Sequence, residues 1–274
     1  MTQPSDRLAL TFSRLRSLDQ VGLFPYLTVG FPSRAHGLEL LEAIAEAGAD
    51  GLELGIPFSD PLADGVTMQR ASARALEQKV TLDDALELVR RFRIHHNLPI
   101  SMMSYVNPLL AYGLERLCRD GASAGIDGLI VPDLPFEESA LLAGLCVDAG
   151  IHLIQLVAPT TGPERLAAVC ERASGFIYCV TLVGTTGARA TLSSELPEFL
   201  AAVRAATRVP LVAGFGIATP AHVAALADQV DGVIVASALA DFIEQSEGAG
   251  LLAAVDAFIR DLKASTKRRL PIDR

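Results

Sequence analysis

The sequence predicts an α/β barrel, and three observations carry that prediction. Short aliphatic runs alternate with amphipathic helical segments along the chain, the pattern of successive parallel βαβ units. An internal echo marks the repeat. Ala47-Gly-Ala-Asp-Gly-Leu, Ala124-Gly-Ile-Asp-Gly-Leu and Val230-Asp-Gly-Val each run from a helix end into a strand, with a glycine for the left-handed helix cap in the first two and an Asp-Gly turn to launch the strand. The first strand, finally, is not followed by the glycine fingerprint of a doubly wound open sheet. Eight strands at about thirty residues per unit give a (β/α)8 TIM barrel of ordinary size, read as a single domain over 1–274. It carries an extra N-terminal helix and additional helices after strands two and eight.

In chain order, 7–18 is amphipathic and helical, ahead of a first strand at 22–30 that ends in Thr-Val-Gly. Apolar residues recur at helical spacing over 35–47, and Gly48 stops that helix. The second strand opens at Gly51, and helices follow at 67–79 and 81–93. The third strand spans 99–105, with a loop through Asn107 and Pro108 before a helix at 113–124. Strands at 128–131, 152–157, 176–180, 211–213 and 232–235 then alternate with helices at 137–149, 163–173, 195–206 and 220–227. The last strand leads into helices at 237–243 and 248–265 and a basic tail over 266–274.

Composition narrows the function. Half the residues are hydrophobic, enough for a large core, yet no apolar run reaches the length of a membrane span. The N-terminus lacks the apolar segment of a secretory signal. The four cysteines show no C-x-x-C spacing and read as buried thiols of a reducing, cytoplasmic setting. A net charge of −9, without a basic stripe before Lys263, argues against nucleic acid. An anionic substrate would need local backbone donors, because the overall field repels it.

The chemistry centres on 51–65, which reads Gly-Leu-Glu-Leu-Gly-Ile-Pro-Phe-Ser-Asp-Pro-Leu-Ala-Asp-Gly. Alternation along a strand sends Leu52 and Leu54 to the helices and turns Glu53 inward between two glycines. A carboxyl buried there has its pKa raised toward the range useful for proton transfer; a structural ion pair is the other outcome. Barrel active sites lie at the C-terminal strand ends. The polar residues there are Thr28, Glu53, Ser59, Asp60, Asp64, Tyr105, Asn107, Asp133, Tyr178, Thr181, Gly216 and Ser237.

The three lysines, Lys79, Lys263 and Lys267, all lie away from strand ends, so a Schiff-base mechanism lacks its nucleophile. The five histidines fall on helices, helix ends or a strand start and assemble no metal site. Carboxylate and tyrosine acid–base chemistry is what remains. Glycine-rich turns at 213–217 and 235–238, after strands seven and eight, suit a phosphate group. A Gly/Thr-rich turn at 183–189 reads as a lid. Met68, Met103 and Phe215 could wall an apolar pocket, Tyr178 could reach Glu53 or a substrate, and Asp133 could cap its own turn.

These motifs resemble the tryptophan synthase alpha chain family along nearly the whole length. The most specific match is the run from Leu52 to Gly65. Supporting matches are Pro25-Tyr-Leu-Thr-Val-Gly30, Tyr105-Val-Asn-Pro108, Val131-Pro-Asp-Leu-Pro135, Gly184-Thr-Thr-Gly187, Gly214-Phe-Gly-Ile217 and Ala236-Ser-Ala238. The sequence departs before Gly184, where Thr181-Leu-Val replaces a Ser/Arg/Thr-rich run.

The resemblance implies cleavage of indole-3-glycerol phosphate to indole and glyceraldehyde 3-phosphate by a retro-aldol step. It implies Glu53 as the proton shuttle, Asp64 as acceptor of the indole N–H and Tyr178 as an orienting group. Gly184, Gly216, Ala236 and Ser237 would hold phosphate, with Tyr105, Thr186 and Phe215 also on the substrate. Asp60, Asn107 and Pro108 would contact a beta subunit in an α2β2 heterotetramer. No cofactor or metal is expected in this chain; pyridoxal phosphate would sit on the partner. Rival readings are a stand-alone lyase with the same residues and a regulatory partner that does no chemistry, which would not need both carboxylates. An indole-glycerol-phosphate synthase would need a lysine at a strand end, and none is there.

Overall fold

The computed structural model describes residues 6–181, 195–214, 216–246 and 248–268. Helix α1 (Arg7–Ser17) precedes β1 (Gly22–Thr28), α2 (Gly37–Glu46) and β2 (Leu52–Gly55). Then come α3 (Val66–Glu77), α4 (Leu82–Phe92), β3 (Ile100–Met103), α5 (Val106–Tyr112), α6 (Leu114–Ala124) and β4 (Gly128–Ile130). The second half runs α7 (Ala140–Ala149), β5 (His152–Val157), α8 (Pro163–Arg172), β6 (Ile177–Val180), α9 (Leu196–Ala206) and β7 (Leu211–Gly214). It ends with α10 (Pro220–Leu226), β8 (Gly232–Val235), α11 (Ser237–Gln245) and α12 (Leu251–Ala264). All eight strands pair in parallel, each with its neighbour in sequence, and β8 closes back on β1. The expected barrel and its extra helices are present.

The repeated Asp-Gly does something other than form a turn. Gly48 and Gly125 do take positive φ, +104° and +97°, as the left-handed helix ends require. Gly51, Gly128 and Gly232 do not. Instead, each aspartate carboxylate accepts an N–H from the first or second residue of the preceding strand: Asp50 from Leu23, Asp127 from Ile100 and Asp231 from Leu211, at 2.8–2.9 Å. Each also meets cations from outer elements, Arg14 and Lys263 at Asp50, Arg7 and Arg93 at Asp127, Arg204 and Arg268 at Asp231. The glycine that follows leaves room inside the barrel. A Cβ on Gly51 would lie 2.5 Å from the Phe24 ring, and one on Gly232 2.8 Å from it. Phe24 fills that space and packs on Phe12 of α1 and Phe176, centroids 5.6 and 6.3 Å away. Helix α1 thereby plugs the bottom of the barrel, with Leu8, Phe12 and Leu15 buried.

One segment differs from expectation. Asn107 and Pro108 lie in the first turn of α5, not in a loop. A first-turn proline forgoes an N–H that has no partner in the helix anyway, so Pro108 does not break it. The Asp133 carboxylate accepts the Val106 N–H at 2.9 Å and satisfies the helix start from the neighbouring βα loop. Asp133 therefore caps a different element from the turn it sits in.

Candidate active site

The C-terminal mouth of the barrel opens on a cleft with about 480 Å³ of empty space, counting its open entrance. Glu53, Asp64, Tyr178, Gly216, Ala236 and Ser237 all line it. Six of the residues singled out in the sequence are thus brought to one place. Met68 and Met103 form part of its apolar wall, as their sequence positions allowed. Gly184, Thr186, Phe215 and the rest of the turn after strand six lie outside the described residues, as does the tail beyond Arg268.

Glu53 is 2% exposed, and neither of its carboxyl oxygens has a hydrogen-bond partner among the described residues. A buried charge without a partner is costly, so the group holds its proton. Burial, and secondarily the charge of Asp64, push its pKa up to about 8. Asp64 is half-buried at the head of α3. Burial raises it to about 6, while a hydrogen bond with Tyr105 pulls it back. Around pH 7 the pair is therefore split into a protonated Glu53 and an ionised Asp64. That is a proton donor beside a fixed negative charge.

Tyr105 does not line the cleft but stands behind Asp64. Its hydroxyl accepts the Ala63 N–H at 3.1 Å, and its ring packs on Phe58 with centroids 5.4 Å apart. It fixes the loop that presents Asp64. The Tyr178 hydroxyl occupies the space a Cβ on Gly214 would take, 2.2 Å from that position, and burial keeps it protonated. Tyr26 of β1 also lines the cleft and was not among the residues read from sequence. Its place two residues before Thr28, on the same strand face, was the available signal.

The lining from Gly216, Ala236 and Ser237 suits an anion. Ala236 caps α11, whose first backbone N–H groups have no acceptor within the helix. Gly216 takes φ +76°, a conformation open to glycine. No lysine, arginine or histidine lines the cleft among the described residues, so backbone donors have to hold the charge.

Asp60, Asn107 and Pro108 fall outside the cleft. Asp60 is exposed in the loop after β2, and Asn107 is exposed on α5. Close to them Leu62, Val66 and Leu110 are 86%, 66% and 56% exposed.

Known proteins share both sequence and fold. The family described as tryptophan synthase alpha chain matches residues 12–267. The tryptophan synthase alpha chain of Chloroflexus aggregans is 49% identical over 96% of this chain and 99% of its own length. That of a Roseiflexus species is 51% identical over 94% and 99%. Among solved structures, the tryptophan synthase alpha subunit of Legionella pneumophila superposes with a TM-score of 0.87 at 35% identity, covering 96% of this chain and 99% of that one. A chain of Mycobacterium tuberculosis tryptophan synthase gives 0.89 at 35%, with the same coverage.

Proposed function

The chain belongs to the tryptophan synthase alpha chain family and is a lyase of tryptophan biosynthesis acting on indole-3-glycerol phosphate, and we propose that Glu53 and Asp64 divide its acid–base work. The observation that carries this is the buried Glu53 carboxyl, without a hydrogen-bond partner among the described residues, in one cleft with Asp64. Protonated Glu53 gives its proton to indole C3, and the positive charge this leaves on the ring nitrogen is met by the Asp64 carboxylate. The Glu53 carboxylate then takes the proton of the hydroxyl on the carbon bonded to C3. That C–C bond breaks, its electrons return to the ring, and the hydroxyl carbon becomes the aldehyde of glyceraldehyde 3-phosphate. One proton enters and one leaves, so Glu53 ends as it began. The protonated indole is the electron sink, and no cofactor in this chain is needed.

Tyr178 orients the substrate, and Tyr105 acts through Asp64. The phosphate sits on the backbone donors around Gly216, Ala236 and Ser237. The exposed apolar side chains beside Asp60, Asn107 and Pro108 support this rim as the contact for a beta subunit in an α2β2 assembly, with pyridoxal phosphate on that partner.

The test is indole release from indole-3-glycerol phosphate by the purified chain, alone and with a beta subunit. Weak activity alone, a large rise with the partner and a loss of about 10²–10⁴-fold in Glu53→Gln are the expected results. Full activity in Glu53→Gln would overturn the mechanism. High activity without any partner would point to a stand-alone lyase.

A further inference from the structure

The mechanism above leaves the Tyr26 hydroxyl beside Glu53 without a task. Tyr26 and Glu53 are register partners across β1 and β2. Paired residues of parallel strands point to the same face, so Tyr26 rises inside the barrel next to the Glu53 side chain, and both line the cleft. The tyrosine is 6% exposed, and a Cβ on Gly55 would fall 1.6 Å from its hydroxyl oxygen. Gly55 lies two residues beyond Glu53 on the same face. The missing side chain there is what seats the hydroxyl just above the carboxyl. Among the described residues, the other groups facing Glu53 are Ser101, its register partner on β3, Asp64 from the loop and Tyr178 from β6. None is a cation.

A carboxyl that alternates between acid and anion in a dry site has opposing needs. An arginine or lysine at its side would hold it ionised and remove the acid. With no donor at all, the anion left after proton transfer would be buried unpaired, at a prohibitive cost. A neutral hydroxyl meets both needs, since it stabilises the anion moderately and leaves the acid form accessible. Burial and the neighbouring charges keep Tyr26 protonated, so it donates without ionising.

We propose that Tyr26 is a positioning residue whose hydroxyl donates to the Glu53 carboxylate formed after proton transfer, and that Gly55 is bare in order to seat it. This rests on Glu53 being the proton donor. In the resting acid the two carboxyl oxygens have no hydrogen-bond partner among the described residues, so the bond belongs to the charged half of the cycle.

Tyr26→Phe removes one oxygen from a buried ring and keeps its shape. With the beta subunit present, we expect kcat for indole release to fall about tenfold with KM little changed. The alkaline limb of the pH–rate profile should move up by about one unit, because the lost donor favoured the ionised form. The Glu53 carboxyl is titrated in parallel by infrared difference against Glu53→Gln, in the wild-type and Tyr26→Phe backgrounds, and the same upward shift is expected there. An unchanged rate and profile would overturn the inference while leaving Glu53 as the acid. A uniform rate loss with an unmoved limb would reduce Tyr26 to packing and overturn it equally. If the wild-type chain released no indole in any mixture, the functional reading would fall, and the infrared titration would still decide whether Tyr26 donates to Glu53.

Discussion

At the scale of single residues, the site depends on two carboxyls given unequal environments. On the proposed mechanism activity needs Asp64 ionised and Glu53 protonated, so kcat/KM should rise as pH passes about 6 and fall as it passes about 8. A profile flat from pH 5 to 9 would contradict this. The same shift affects stability. A carboxyl whose folded pKa lies above its ordinary value binds its proton more tightly in the native state. Its penalty is absent below pH 4.5 and grows as pH rises toward 8. Glu53→Gln should therefore stabilise the fold by on the order of 3 kcal/mol at pH 7 and by little at pH 4, as measured by denaturant unfolding at the two pH values. Glu53 was legible in the sequence because a charged residue between glycines in an aliphatic strand is anomalous on its face. Tyr26 was not, because a tyrosine in a strand is ordinary until register places it beside a carboxyl.

At the scale of elements, the three aspartates at the barrel bottom tie strands to helices. Asp50 is the most buried of the three, but Asp127 has the most enclosed cation partner. It joins the start of β3, Arg93 after α4 and Arg7 of α1, with its side chain 8% and that of Arg93 11% exposed. Burial pulls the Arg93 pKa down to about 10 even with Asp127 opposing that fall. Breaking a buried pair leaves an uncompensated charge, so Asp127→Ala should cost about 3–5 kcal/mol of unfolding free energy. Arg116→Ala, which removes exposed pairs with Asp83 and Asp120, should cost less than about 1 kcal/mol. Equal losses would refute the distinction. Strand order and most helices were legible because aliphatic runs and helical periodicity are local signals. The use of the Asp-Gly echo was not, since its partners come from 36 and 213 positions away at Asp50 alone. Helix α5 was hidden for the same reason: Pro108 reads locally as a breaker, while the cap on Val106 comes from Asp133.

At the scale of the whole molecule, the barrel separates its tasks by end. The bottom is closed by Phe12, Phe24 and Phe176 and tied by buried ions, so it is built to be rigid. The top leaves apolar side chains outward at Leu62, Val66 and Leu110. Three large exposed aliphatics around one rim are costly to keep in water and are what a covered interface uses. Through Tyr105, which leads directly into α5 and bonds the loop before Asp64, a partner seated on this rim would bear on the Asp64 carboxylate. Leu110 makes no part of the cleft, so Leu110→Asp should leave the fold and the unassisted indole release unchanged. It should weaken the beta-subunit complex about tenfold or more, by the cost of a charge at a desolvated contact, and reduce the activation accordingly. Titration of the beta subunit against the wild-type and Leu110→Asp chains, read as indole release, measures both effects. Undiminished activation at equal partner concentration would move the contact away from α5. Loss of the unassisted rate as well would mean that α5 governs Asp64 without any partner.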